Sequence, residues 1–129
     1  MYHYFLLEPS PAGKSINQMD YIAEENLISG RLKDAIEQYL PDLEYTSVEK
    51  GGETFWEVNP PSYEGAIEFD GNTIWKVPYL NIINDKTPLV FAIQTPGQKF
   101  ILIRMAMAES ILQKGIFGLK LKRLGRGLE

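Results

Sequence analysis

One stretch of this chain occurs twice, and it limits the available folds more than any other feature. The first copy holds Leu27, Ile28, Leu32, Ile36 and Gln38. The second holds Leu102, Ile103, Met107, Ile111 and Gln113, at a constant offset of 75 residues. Each copy begins on two aliphatic residues, continues as an amphipathic helix and ends on a strand-like triplet, Leu43-Glu44-Tyr45 or Leu119-Lys120-Leu121. The triplets are out of step by one residue, in the connection where an insertion costs least. Repetition on this scale points to one structural unit used twice.

Helical periodicity fills in each unit. Leu32, Ala35, Ile36, Tyr39 and Leu40 recur at i, i+3, i+4, i+7 and i+8, which predicts a single apolar helix face. Ser29 stands where its hydroxyl can accept a bond from a first-turn N–H, and Pro41 forbids continuation. Lys33 and Glu37 form an i,i+4 pair off the apolar stripe. The second helix is expected over 104–114, with Met107 and Ile111 facing the core and Ala108 and Leu112 beside them. Lys114 suits its negative end, and Gly115 follows as a C′ glycine. Met105 is the methionine with the option of an adaptable interface.

The rest of the chain reads as strands and turns. Residues 1–8 mix Tyr, His, Phe and Leu and predict a strand, followed by a loop through Pro9 and Pro11. Gly13-Lys14-Ser15 matches the end of a phosphate-binding loop, but Glu8 stands where its first glycine belongs, so a plain loop is expected. Residues 19–25 predict a helical turn with Asp20, Glu24 and Glu25 on a solvated side. Gly51-Gly52 supplies positive φ for a hairpin between strands over 43–49 and 54–59, which Pro60-Pro61 ends. Asp70-Gly71-Asn72 marks a second hairpin between 67–69 and 73–77. Residues 79–85 fit either a short strand or a helical turn. Strands over 89–93 and 100–103 are joined by a turn at Thr95-Pro96-Gly97-Gln98, and 119–122 alternates as a half-buried or edge strand does. The expected fold is α+β: a mostly antiparallel sheet with the two short helices of the repeated unit packed on it, in one domain over 1–127. Leu128-Glu129 resembles a cloning scar and is left aside.

Composition narrows the function. The chain has 129 residues, 44% of them hydrophobic, which suits one globular domain. It has no cysteine, hence no disulfide, thiolate metal site or cysteine nucleophile. No basic leader precedes an apolar run, and no run reaches the length of a membrane span, so a cytoplasmic protein without membrane contact is expected. The net charge of −4 is unevenly spread: residues 1–70 carry −10 and residues 71–129 carry +6. Lys120, Lys122, Arg123 and Arg126 make a basic tail without interleaved aromatics, which favours a solvated strand over a nucleic-acid surface.

No catalytic motif stands out. His3, the only histidine, has no evident carboxylate or nucleophile partner, and no metal or other cofactor is expected. The feature that suggests a partner is the turn-rich middle, where acids and large aromatics concentrate: Glu49, Glu53, Trp56, Glu57, Tyr63, Glu64, Glu68, Asp70 and Trp75. Core burial is the alternative for the tryptophans. A small-molecule or nucleotide site built from Trp56, Tyr63 and Trp75, and an enzyme using carboxylates such as Glu57 and Glu68, are the competing functional expectations.

The first repeat copy, from Ile28-Ser29-Gly30-Arg31-Leu32 through Ile36 to Leu43-Glu44-Tyr45, resembles an immunity-protein family of bacterial polymorphic toxin systems, the one typified by a myxobacterial protein. Residues 101–124 are similar to that family's C-terminal element of strand, short helix, two glycines (here Gly115 and Gly118) and strand. Tyr4-Phe5-Leu6-Leu7 is similar to its first strand. Arg104 departs from the pattern, standing where Ser29 caps the first helix, and the chain is shorter than is usual for the family. The resemblance implies a non-enzymatic protein that occludes a cognate toxin. It supplies no site residues, and the chain is compatible with a homodimer.

Overall fold

A computed structural model describes residues 4–10, 15–64, 66–70, 72–76 and 88–126. His3, Gly13, Lys14, Gly71, the ambiguous stretch 79–85 and the C-terminal Leu128-Glu129 lie outside the described residues. The chain is α+β, with two mostly antiparallel sheets.

The small sheet contains β2 (Tyr21–Ile22), β3 (Leu27–Ser29), β4 (Glu44–Lys50) and β5 (Glu53–Asn59), in the order β2-β3-β5-β4. The large sheet contains β1 (Tyr4–Pro9), β6 (Ser62–Glu64), β7 (Ala66–Asp70), β8 (Asn72–Lys76), β9 (Val90–Thr95), β10 (Gln98–Arg104) and β11 (Leu119–Arg126). Its order is β6-β9-β10-β1-β11-β8-β7. Neighbours are antiparallel except β6 with β9, and β8 with the far end of β11. The single expected sheet is therefore two. The pairings that divide them, β1 with β10 and β11 above all, join residues at opposite ends of the chain and leave no local signature.

The large sheet curls back on itself. β6 and β7 stand at its two ends, yet only position 65 separates them, so their facing termini are no more than about 7 Å apart. The strand directions agree: β6 is parallel to β9 and β7 is antiparallel to β8, so β6 and β7 point the same way. The result is barrel-like closure. It explains why one sheet face, bearing Tyr4, Leu6, Phe91, Ile93 and Leu102, is buried away from the helices: it lines the inside of the curl. Tyr4 and Phe91 pack edge to face there, with ring centroids 5.7 Å apart.

The opposite face of the curl carries Leu7, Val90, Ala92, Ile101 and Ile103 against the helices α1 (Gly30–Glu37) and α2 (Met105–Gln113). Leu32, Ala35 and Ile36 of α1 and Met107, Ala108 and Ile111 of α2 are buried between this face and the inner face of the small sheet, where Tyr21, Ile28 and Val58 lie. The main core is thus a helix layer between two sheets. α1 stops at Glu37, short of the expected end. Its last turn closes on Asp34 and Ile36, and Tyr39 leaves the apolar stripe to become 47% exposed.

The repeat is structural. In the small sheet β3 leads directly into α1, and β4 follows; β5 lies between β3 and β4, antiparallel to both. In the large sheet β10 leads directly into α2, and β11 follows; β1 lies between β10 and β11, antiparallel to both. β2 and β9 flank β3 and β10 in the same way, antiparallel. The second unit draws its central strand from the N-terminus, where the first draws it from the hairpin after β4.

Candidate functional site

The β4–β5 hairpin gathers the exposed acids. Gly51 and Gly52 have φ of +60° and +81°, both positive, as a two-residue hairpin turn of matching twist requires. The register from Lys50↔Glu53 to Glu44↔Asn59 is unbroken over seven pairs. Alternation then sorts the side chains. Glu44, Thr46, Val48 and Lys50 share the outer face with Glu53, Phe55, Glu57 and Asn59. Tyr45, Ser47 and Glu49 share the inner face with Thr54, Trp56 and Val58.

On the outer face Phe55 is buried with Ile22 and Leu27 beneath the segment carrying Ile16 and Met19. Glu44, Glu53 and Glu57 around it are exposed. Lys50 is ion-paired to Glu25, which raises the pKa of its ammonium. Glu44 was not among the expected partner residues. It lies diagonally from Glu57, because Thr46 opposes Glu57 and Glu44 opposes Asn59, and counting alternate residues back from the Gly-Gly turn places it there.

The inner face packs on the main core at Tyr45, Trp56 and Val58, while Ser47, Glu49 and Thr54 nearer the turn are exposed. Trp56 is half-buried under α1, with the Lys33 ammonium 4.6 Å from its ring centroid and 4.9 Å from that of Tyr45. Lys33 also pairs with Glu37, as its spacing predicts. Burial, and then the Glu37 carboxylate, push the Tyr45 hydroxyl up to about 12. Glu49 accepts a bond from Thr54 Oγ1 at 2.6 Å.

The remaining expected residues lie elsewhere. Tyr63 on β6 is half-buried against Phe91, with ring centroids 6.0 Å apart. Glu64 follows it in register with Gln94. Glu68 and Asp70 are on β7, and Trp75 is on β8, where it is in register with Arg126. The structure therefore joins Glu49, Glu53, Trp56 and Glu57 on one hairpin, divides them between its two faces, and sets the other five on the large sheet.

Behind the hairpin, Asp20 is a buried carboxylate, 1% exposed, where a solvated acid is expected. Ser29 Oγ donates to its Oδ1 at 2.5 Å, Arg31 Nε donates to the same oxygen at 3.0 Å, and the Gly118 N–H donates to Oδ2 at 2.7 Å. Ser29 Oγ in turn accepts from the Leu32 N–H at 3.1 Å, the expected cap of α1. Backbone bonds from Asp20 N to Gly118 O and from Ser29 N to Asp20 O complete the knot. A Cβ on Gly118 would lie 2.1 Å from the Gln18 carbonyl oxygen, so only glycine admits this approach. Local spacing cannot reveal a carboxylate whose partners lie 9, 11 and 98 residues away.

Two clefts open beside the small sheet. One of about 560 Å³ lies between the β2–β3 turn (Glu24, Asn26) and the β9–β10 turn (Gln94, Gln98, Lys99). The Asn26 amide donates to the Lys99 carbonyl across its base, and Tyr21 donates to Asn26 Oδ1. The other, about 260 Å³, lies between Arg31 and Glu53. Among the described residues, no group of three or more metal-ligating side chains converges, and no helix is long and apolar enough to cross a membrane. No family model, curated protein or solved structure matches this chain.

Proposed function

We propose that this protein is a non-enzymatic binding module that neutralises a cognate bacterial toxin by covering it, and that the outer face of the β4–β5 hairpin meets the toxin. The observation that carries this reading is the exposure of Glu44, Glu53 and Glu57 on one rigid sheet face, with Lys50, the hairpin's basic residue, already held by Glu25. Such a face attracts a basic surface and speeds encounter with it. Toxins that attack nucleic acid carry basic surfaces, so an acidic inhibitor competes for the same contacts. The resemblance of both repeat units to an immunity-protein family supplies the toxin as the class of partner.

The direct experiment is co-expression with the product of the adjacent gene, followed by affinity capture and a growth assay. Rescue of growth together with a recovered complex is expected. A neighbouring product that is neither toxic nor captured overturns the reading.

A further inference from the structure

Among the described residues no strand pairs with the outer edge of β4. The small sheet ends there, whereas its other end is the two-residue, buried β2. β4 runs for seven residues without proline or bulge, and Glu44, Thr46, Ser47 and Glu49 are exposed. Proteins generally blunt such an edge, because a free row of backbone donors and acceptors recruits another strand.

The turn decides which backbone groups face outward. A two-residue loop makes Lys50 and Glu53 a hydrogen-bonded pair, and hydrogen-bonded and open pairs then alternate. Lys50, Val48, Thr46 and Glu44 therefore bond inward to β5. Tyr45, Ser47 and Glu49 aim their N–H and C=O groups at the open edge.

We infer that β4 pairs antiparallel with β4 of a second copy of this chain, about a twofold axis through Ser47. Only outward-facing residues can hydrogen-bond across such an edge. This register satisfies all of them: Ser47 with the partner's Ser47, and Tyr45 with the partner's Glu49, twice. The residues between them then meet as open pairs, whose side chains come closest. Glu44 faces the partner's Lys50, which is shared there with its own Glu25, twice, and Thr46 faces the partner's Val48, twice. The edge is thus complementary to itself in charge and in β-branched packing. Centring on Glu49 sets that carboxylate against its own copy, and centring on Val48 leaves Glu44 without the lysine. The paired sheets form one continuous surface, with the outer-face acids of both copies on the same side.

Sedimentation equilibrium from micromolar to millimolar protein tests this. The expected mass rises from 14.7 kDa toward twice that value. Ser47→Pro removes an outward N–H and leaves the ladder to β5 intact, so it should stay monomeric throughout while keeping the wild-type circular dichroism spectrum. Glu44→Lys opposes lysine to lysine twice and should weaken association by about tenfold or more. Adding Lys50→Glu to it gives up the pair with Glu25 but restores the complement across the axis and should recover part of that loss, which carries the test even where the proline variant fails to fold. A wild-type chain that remains monomeric at millimolar concentration overturns the inference, as does a dimer indifferent to Ser47→Pro and Glu44→Lys. A monomer whose capture of the toxin is abolished by Ser47→Pro assigns the edge to a foreign strand and overturns it equally.

Discussion

The two repeat units share a strand order and differ at their edges. In the unit built on α2, β9 is covered by β6, the far end of β11 is covered by β8, and β6 runs on into β7 to close the curl. In the unit built on α1, β2 is short and buried, while the outer edge of β4 has no strand paired to it among the described residues. The closed unit turns one face inward around Tyr4, Leu6, Phe91 and Leu102. The open unit turns the acids around buried Phe55 on its outer face, and one edge, to solvent. A shared strand order thus yields one half closed at its edges and one half on which the proposed binding surface lies.

The units also differ in how their helices begin, and this predicts the largest effect. α1 is capped by Ser29, which is itself held by buried Asp20, whereas the corresponding Arg104 makes no side-chain cap for α2. Asp20→Ala leaves the Gly118 N–H and the Ser29 hydroxyl without their buried acceptor and should cost about 4 kcal/mol. Urea denaturation measures it. A loss below about 1 kcal/mol would show that the knot is incidental to the first unit.

If the units are equivalent where they meet, truncating matched positions should cost matched amounts. Leu32→Ala and Met107→Ala, both at fully buried sites offset by 75 residues, should each lose about 3 kcal/mol. A large loss at one and a small loss at the other would break the equivalence.

A smaller effect tests the seam between the sheets. Burial raises the Tyr21 hydroxyl from 10.0 to about 12. The folded chain therefore holds that proton more tightly than the unfolded chain does. Its contribution is intact below pH 10 and is lost as the pH climbs through about 12. Tyr21→Phe also gives up the bond to Asn26 and should cost about 1 kcal/mol at neutral pH. Phenolate absorbance titration should show one late-titrating tyrosine fewer in the variant.

Much of this was legible in residues alone. The offset repeat, the Ser29 cap, the Gly-Gly hairpin and the C′ role of Gly115 (φ +70°) all follow from local rules, and the structure bears them out. Gly115 and Ile116 close α2 with N–H bonds to Leu112 and Ile111. What local rules missed depends on distant partners. Asp20 looks solvated until Gly118 arrives 98 residues later. Residues 119–122 keep the half-buried, one-sided pairing expected of them, but their partner β1 comes from the other end of the chain. The candidate site was half legible. Acid content marked the β4–β5 hairpin, but only the register separates Glu53 and Glu57 from Glu49 and Trp56 on the opposite face, and only the register adds Glu44.

In the proposed function the open unit is the one that binds. Calorimetric titration of the toxin into three proteins tests this directly: wild type, a Glu44→Lys, Glu53→Lys, Glu57→Lys variant of the open unit, and a Glu109→Lys variant on the exposed face of α2 in the closed unit. The hairpin variant should lose binding by about a hundredfold or more at low salt and keep its folding stability within about 0.5 kcal/mol, while the α2 variant binds as wild type does. Full affinity in the hairpin variant, or a loss confined to the α2 variant, would contradict the assignment of binding to the open unit.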